Sequence, residues 1–187
     1  KKNPLLARLA LVWVLVYLSM GWTNRNRAMA AGEEFALSRG HVPVRLEATP
    51  SIANILMWTV VYETSGRYYV DAVRTGLAST IYAGDSVEKL DIARDLPWLE
   101  KDSQQAKDIE RFRWFSNGYV ARDPENPYRV IDIRYSLLPN EVNALWSIEL
   151  RPGATPTEHA RYQTHRNAGG EALAVLWQMM KGQGGST

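Results

Sequence analysis

The chain has 187 residues, of which 45% are hydrophobic and 22% are charged, and its formal net charge is +2. This composition is typical of a folded protein rather than a disordered one. The small net charge, spread over interspersed basic and acidic residues, argues against a nucleic-acid partner. The lack of cysteine excludes disulfides, thiolate nucleophiles and cysteine metal sites within this sequence.

An apolar run begins at Leu5 and ends at Trp22, and Arg8 is its one charged residue. At about 1.5 Å of rise per residue, a helix of this length can cross a hydrocarbon core of about 30 Å. Trp22 stands where an aromatic ring would lie at the membrane interface. We therefore expect a transmembrane anchor over residues 1–23 that binds the lipid bilayer. A cleaved leader peptide and a buried or interfacial helix are the alternatives.

The basic residues around the anchor bear on its orientation. Lys1, Lys2 and Arg8 lie at its start, whereas Arg25 and Arg27 follow it. Because basic residues are enriched on the cytoplasmic side, this small excess favours a periplasmic location for the rest of the chain.

Residues 24–40 predict a connecting helix, which can continue the anchor as one rod. Gly40 is a suitable residue to end it. Gly21 and Gly32 are its expected weak points, because glycine is a poor helix former.

Residues 41–181 predict one α+β domain with an antiparallel β-sheet and a few helices, followed by a flexible tail over 182–187. The first helix of this domain is expected to open with a capping box formed by Asp102 and Gln105. Loops and turns are expected at 95–98 and 123–127. The predicted strands cover 44–48, 55–63, 67–74, short segments within 80–90, 119–122, 128–135 and 145–150, and the predicted helices cover 103–116 and 171–181.

The sequence holds no recognisable catalytic or metal-binding motif. His41, His159 and His165 form no metal-ligand pattern, and there is no nucleophile elbow or phosphate-binding loop. We therefore assign no catalytic residue, no metal ligand and no cofactor to this chain.

Six charged residues within otherwise apolar or aromatic segments are the remaining candidates for a site. If they are buried, they are expected to pair with one another in a structural network. If they line a cleft, the arginines could bind an anion, because guanidinium matches the geometry of carboxylate and phosphate. Exposure to solvent is the third alternative. The six are Asp71, Arg74, Arg111, Arg113, Asp132 and Arg134.

Four segments together resemble a known family. They are ARLALVWVLVYLSMGW, GRYYVDAVR, DIERFRWFSNGY and RVIDIRYSLLPNEVNALWSIEL. Over residues 7–150 they resemble the last transmembrane helix and the C-terminal extramembrane region of bacterial inner-membrane proteins described as metal-dependent hydrolases, the LexA-binding inner-membrane hydrolase group. The resemblance implies a larger parent protein in the bacterial inner membrane. Its remaining N-terminal membrane helices would be partners of this chain, and they would supply the histidines and aspartates for a divalent metal.

Two functions follow as the leading hypotheses, and a single-pass membrane sensor is a third. In the first, the chain is a membrane-tethered accessory or substrate-facing domain of such a hydrolase. In the second, it is a non-enzymatic protein-interaction or oligomerisation module anchored to the membrane. A deep pocket with converging Asp71, Arg74 or Arg134 would favour the first, and exposed aromatic clusters would favour the second.

Overall fold

The computed structural model describes residues 4–52, 54–165 and 170–185. The expectations placed on Lys1, Lys2 and residues 186–187 lie outside these ranges. In chain order the elements are α1 (Pro4–Ser38), β1 (Arg45–Pro50), β2 (Met57–Glu63), β3 (Arg67–Arg74), β4 (Thr80–Tyr82), β5 (Ser86–Glu88), α2 (Ile92–Asp95), α3 (Gln104–Phe115), β6 (Val120–Arg122), β7 (Arg129–Asp132), β8 (Trp146–Glu149), β9 (Arg161–Thr164) and α4 (Gly170–Met180).

Helix α1 combines the predicted anchor and connecting helix in 35 continuous residues. Its apolar segment is long enough to cross a membrane, and none of it is buried within the structure. The second half of the helix packs on the protein through Ala28, Gly32 and Ala36. Small side chains on one helical face allow a close approach to a sheet. The first half of α1 is therefore a candidate membrane span, and the second half is part of the folded domain.

The strands form two antiparallel sheets, which confirms the predicted α+β class. The first sheet has the order β1-β2-β3-β4, with β5 also paired to β3, and the second has the order β6-β7-β8-β9. In the first sheet Tyr62 lies opposite Tyr69, and Val60 lies opposite Asp71. Since side chains alternate along a strand, these four residues share one face, and that face is the one α1 covers.

The two sheets pack on each other and are covered by helices. Side chains of the first sheet, including Val61 and Val70, share a core with Ile131 of the second sheet and with Ile133, which directly follows β7. On the far side of the second sheet, Ile109 and Phe112 of α3 pack on a second core. A third core joins α4 to the first sheet through Leu176 and Met179 against Met57, Ala72 and Tyr82. Both sheets therefore lie between α1 and α3.

Several predicted boundaries were wrong. Helix α3 begins after Ser103, whose Oγ accepts a hydrogen bond from the Ala106 N–H at 3.3 Å, so Asp102 is not its cap. The residues predicted as loop 95–98 include Asp95, the last residue of α2. The strand predicted over 128–135 ends at Asp132, because the Asp132 carboxylate accepts the Arg134 N–H. Strand β9 was not predicted.

Candidate functional site

Asp71 is buried beneath the C-terminal end of α1. Its side chain is 1% exposed, and its two oxygens accept hydrogen bonds from the two terminal nitrogens of Arg39 at 3.0 Å each. The Gly84 N–H donates a third hydrogen bond at 2.9 Å. Burial raises the pKa of Asp71, and the Gly84 and Arg39 contacts offset only part of that rise. Asp71 therefore joins α1 to β3 as part of a structural network.

An aromatic cluster surrounds this ion pair. The Tyr62 hydroxyl lies 2.8 Å from His41 Nδ1 and accepts a hydrogen bond from Arg39 at 3.2 Å. The rings of Tyr62 and Tyr69 stack with centroids 4.9 Å apart. The cluster seals the end of α1 against the first sheet, and it gives His41 a structural role.

Arg74 and Arg134 also hold structural contacts. Arg74 Nε donates to the Met180 carbonyl at 2.7 Å, which ties the end of β3 to the end of α4. Arg134 pairs with the fully buried Asp132 at 2.7 Å and donates to the Phe115 carbonyl at 3.0 Å. Within the described residues, neither arginine shares a hydrogen bond or an ion pair with Asp71.

The two candidate arginines of α3 differ from each other. Arg113 pairs with Glu110 on the helix surface at 3.3 Å. Arg111 is exposed, and its side chain makes no hydrogen bond or ion pair within the described residues. It lines a groove, and it is the one member of the six predicted site residues that does so.

The groove lies between α3 and the outer surface of β8 and β9, and its volume is about 420 Å³. It is largely apolar. Trp114 is 83% exposed beside it, and Phe115 and Tyr162 are also exposed. Exposed aromatic side chains in a cluster are unusual on a surface that contacts only water. Its lining residues are Asp108, Arg111, Phe112, Trp114, Phe115, Ile148, His159, Ala160 and Tyr162.

Asp108 fixes one end of the groove. It accepts hydrogen bonds from the Ala160 N–H at 2.9 Å and from Gln104 Nε2 at 3.0 Å, and it lies 3.0 Å from His159 Nδ1. Burial alone would raise the pKa of Asp108, but these hydrogen bonds together lower it below its ordinary value. The charged Asp108 carboxylate therefore holds His159 and Ala160, the residues directly before β9, against α3.

A second cavity, of about 510 Å³, is polar and mainly acidic. Asp85, Asp123, Glu125 and Glu141 line it together with His165. Burial, and then the charge of Asp85, raise the pKa of Glu141. Among the described residues there is no group of three or more His, Cys, Asp or Glu side chains that could hold a metal ion.

Ser147 and His165 form a pair next to this second cavity. Ser147 Oγ lies 2.8 Å from His165 Nε2. A serine and a histidine at this distance resemble part of a nucleophilic site. Ser147 is, however, fully buried and does not line the cavity, so a substrate cannot reach it.

Comparisons of the chain with models of protein families, with curated proteins and with solved structures find no match. The function of the chain is therefore inferred from the geometry of its groove, its charged clusters and its apolar helix.

Proposed function

We propose that this chain is a non-enzymatic interaction module, anchored in the bacterial inner membrane by the first half of α1, that binds an apolar segment of a partner protein in the groove between α3 and β9. The exposed aromatic lining of the groove is the observation that carries this proposal. Aromatic residues and arginine dominate the binding energy of protein interfaces, and Trp114, Tyr162 and Arg111 supply these types.

The charge of the groove specifies the partner further. Arg111 is exposed at the rim without a counter-ion among the described residues. Asp108 is already engaged with His159 and the Ala160 N–H. A partner segment that combines apolar or aromatic side chains with an acidic residue complements this surface.

The position of the groove agrees with membrane anchoring. Helix α1 covers one face of the first sheet, and α3 covers the far face of the second. Because both sheets lie between them, the anchor leaves the groove open. Tethering raises the effective concentration of the groove toward partners in the same membrane.

Four of the six charged candidates support a binding module over an active site. Asp71 pairs with Arg39, Asp132 pairs with Arg134, and Arg74 binds the Met180 carbonyl. These contacts satisfy the buried charges without a shared cleft. The resemblance to inner-membrane hydrolases is compatible with this proposal when the partner is a membrane-embedded catalytic portion whose metal ligands lie outside this chain.

Selection from a random peptide library against the full chain in lipid nanodiscs tests the proposal. We expect the selected peptides to combine apolar or aromatic residues with an acidic residue. Trp114→Ala should weaken their binding at least about tenfold, and Arg111→Gln should weaken it less, because truncated hot-spot side chains lose about 2 kcal/mol or more. Val42→Ala, which changes an exposed apolar residue outside the groove, should bind as the unaltered chain does.

Three outcomes would contradict the proposal. The first is a selection that yields no binding peptide, and the second is a set of peptides whose affinity is unaffected by Trp114→Ala. The third is metal-dependent hydrolysis of an ester or peptide by the full chain alone, because the proposal gives this chain no catalytic role.

A further inference from the structure

Two connections at one end of the strands of the first sheet expose apolar side chains. Ile52 and Leu56 lie in the connection between β1 and β2, and Leu77 lies in the connection between β3 and β4. All three are exposed, and Leu77 is fully so. A group of exposed apolar side chains marks a candidate site of contact with protein or with lipid.

Both connections are hydrogen-bonded to α1 directly after its apolar segment. Asn24 Nδ2 donates to the Ile55 carbonyl at 3.0 Å, and Arg27 Nη2 donates to the Leu77 carbonyl at 3.2 Å. Along the helix axis, at about 1.5 Å per residue, Asn24 lies about 3 Å beyond Trp22 and Arg27 about 7.5 Å beyond it. These contacts hold the two connections beside the end of the candidate membrane span.

This height corresponds to the headgroup layer. The polar region adds about 5 to 7.5 Å to each side of the hydrocarbon core. If Trp22 lies at the interface, the exposed side chains of the two connections lie at headgroup depth. The side chain of Arg25, which makes no hydrogen bond or ion pair within the described residues, lies at the same level and suits a lipid phosphate.

We infer that this end of the first sheet is a membrane-docking surface, which inserts Ile52, Leu56 and Leu77 between the lipid headgroups around the anchor. The inference rests on the membrane anchoring proposed above and adds a second attachment to it. This second attachment fixes the tilt of α1 and the domain relative to the bilayer. The groove between α3 and β9 therefore keeps a fixed orientation to the bilayer.

The lack of cysteine allows single labels to test this docking. Four variants of the full chain, Leu11→Cys, Ile52→Cys, Leu77→Cys and Val42→Cys, are labelled with a fluorophore and placed in phosphatidylethanolamine–phosphatidylglycerol vesicles. Quenching is then measured with lipids brominated on the acyl chain and, separately, with iodide in the buffer. We expect bromolipid to quench labels 11, 52 and 77 at least about twofold more than label 42, whereas iodide should quench label 42 most.

Each other outcome contradicts the inference in a distinct way. If label 11 is quenched by bromolipid but labels 52 and 77 behave as label 42 does, the anchor is correct and the docking surface is wrong. If labels 52 and 77 are shielded from both quenchers, protein rather than lipid covers this end of the sheet. If label 11 escapes bromolipid, both the anchor and the docking surface are wrong.

Discussion

Arg39 and Asp71 form a two-pronged ion pair that joins the C-terminal end of α1 to the centre of the first sheet. Both nitrogen–oxygen distances are 3.0 Å, and Asp71 is almost fully buried. Because 32 residues separate the two along the chain, the pair fixes tertiary rather than local structure. It makes α1 and the domain one rigid unit from residue 28 onward, where the helix first becomes buried.

Breaking this pair should destabilise the domain strongly. In Arg39→Met the Asp71 carboxylate keeps its burial but loses its counter-ion, which typically costs about 3 to 5 kcal/mol. Urea unfolding of the full chain in nanodiscs, followed by tryptophan fluorescence, measures the loss. Arg67→Met is the matched control, because Arg67 pairs with Glu88 at the surface and should lose less than about 1 kcal/mol. Equal losses in the two variants would show that the buried pair has no special role.

Gly32→Ala should destabilise the chain, although alanine is the better helix former. A Cβ at position 32 would lie 2.6 Å from Cγ1 of Val60, which is fully buried on the first sheet. Overpacking of this kind costs about 1 to 3 kcal/mol, which exceeds the gain of about 1 kcal/mol in helix propensity. The same unfolding measurement on Gly21→Ala should show no loss, because nothing lies within 4 Å of that Cβ. A stabilised Gly32→Ala variant would mean that α1 does not pack this closely.

Arg134→Ala should lower the stability of the chain, because it leaves the fully buried Asp132 without its partner. We expect a loss of about 3 kcal/mol in the free energy of unfolding. Arg113→Ala removes a surface arginine that pairs with Glu110, so it should lose less than about 1 kcal/mol. If Arg134→Ala unfolds as the unaltered chain does, the pair is not structural and Arg134 is free to serve a ligand.

Glu141→Gln should change the pH dependence of stability. Burial and Asp85 hold the pKa of Glu141 above its ordinary value in the folded chain. Protonated Glu141 therefore favours the folded state below its ordinary pKa of about 4.3, and this contribution is lost as the pH rises through the raised pKa. The unaltered chain should thus lose stability relative to Glu141→Gln as the pH rises above about 4. A stability difference between the two chains that is constant with pH would contradict this sign.

Local patterns were enough to predict much of the fold. The hairpin of β2 and β3 follows from alternating β-branched and aromatic residues around a Thr-Ser-Gly turn, and β3 was predicted at its observed bounds of Arg67–Arg74. Strand β9 was missed because Arg161, Tyr162 and Thr164 are exposed, so the segment has no apolar alternation to detect. The cap of α3 was misplaced by one residue because Asp102 and Ser103 are both suitable caps.

Long-range contacts explain what the sequence did not predict at the candidate site. Arg39 is not among the six charged candidates from the sequence, because its partner Asp71 lies in a distant strand. Gly32 was interpreted as a weak point of the rod, whereas it is a point of close packing against Val60. Arg111 was a candidate from the sequence, but Trp114 and Tyr162 form a groove with it only after α3 packs beside β9.

The central claim is that the first half of α1 lies in lipid while the rest of the chain folds outside it. Flotation of the full chain with phospholipid vesicles through a density gradient in alkaline carbonate tests this most directly, because alkaline carbonate releases peripheral proteins but retains spanning helices. We predict that the chain floats with the vesicles. A chain that stays in the aqueous fraction and is monodisperse without detergent would contradict the claim.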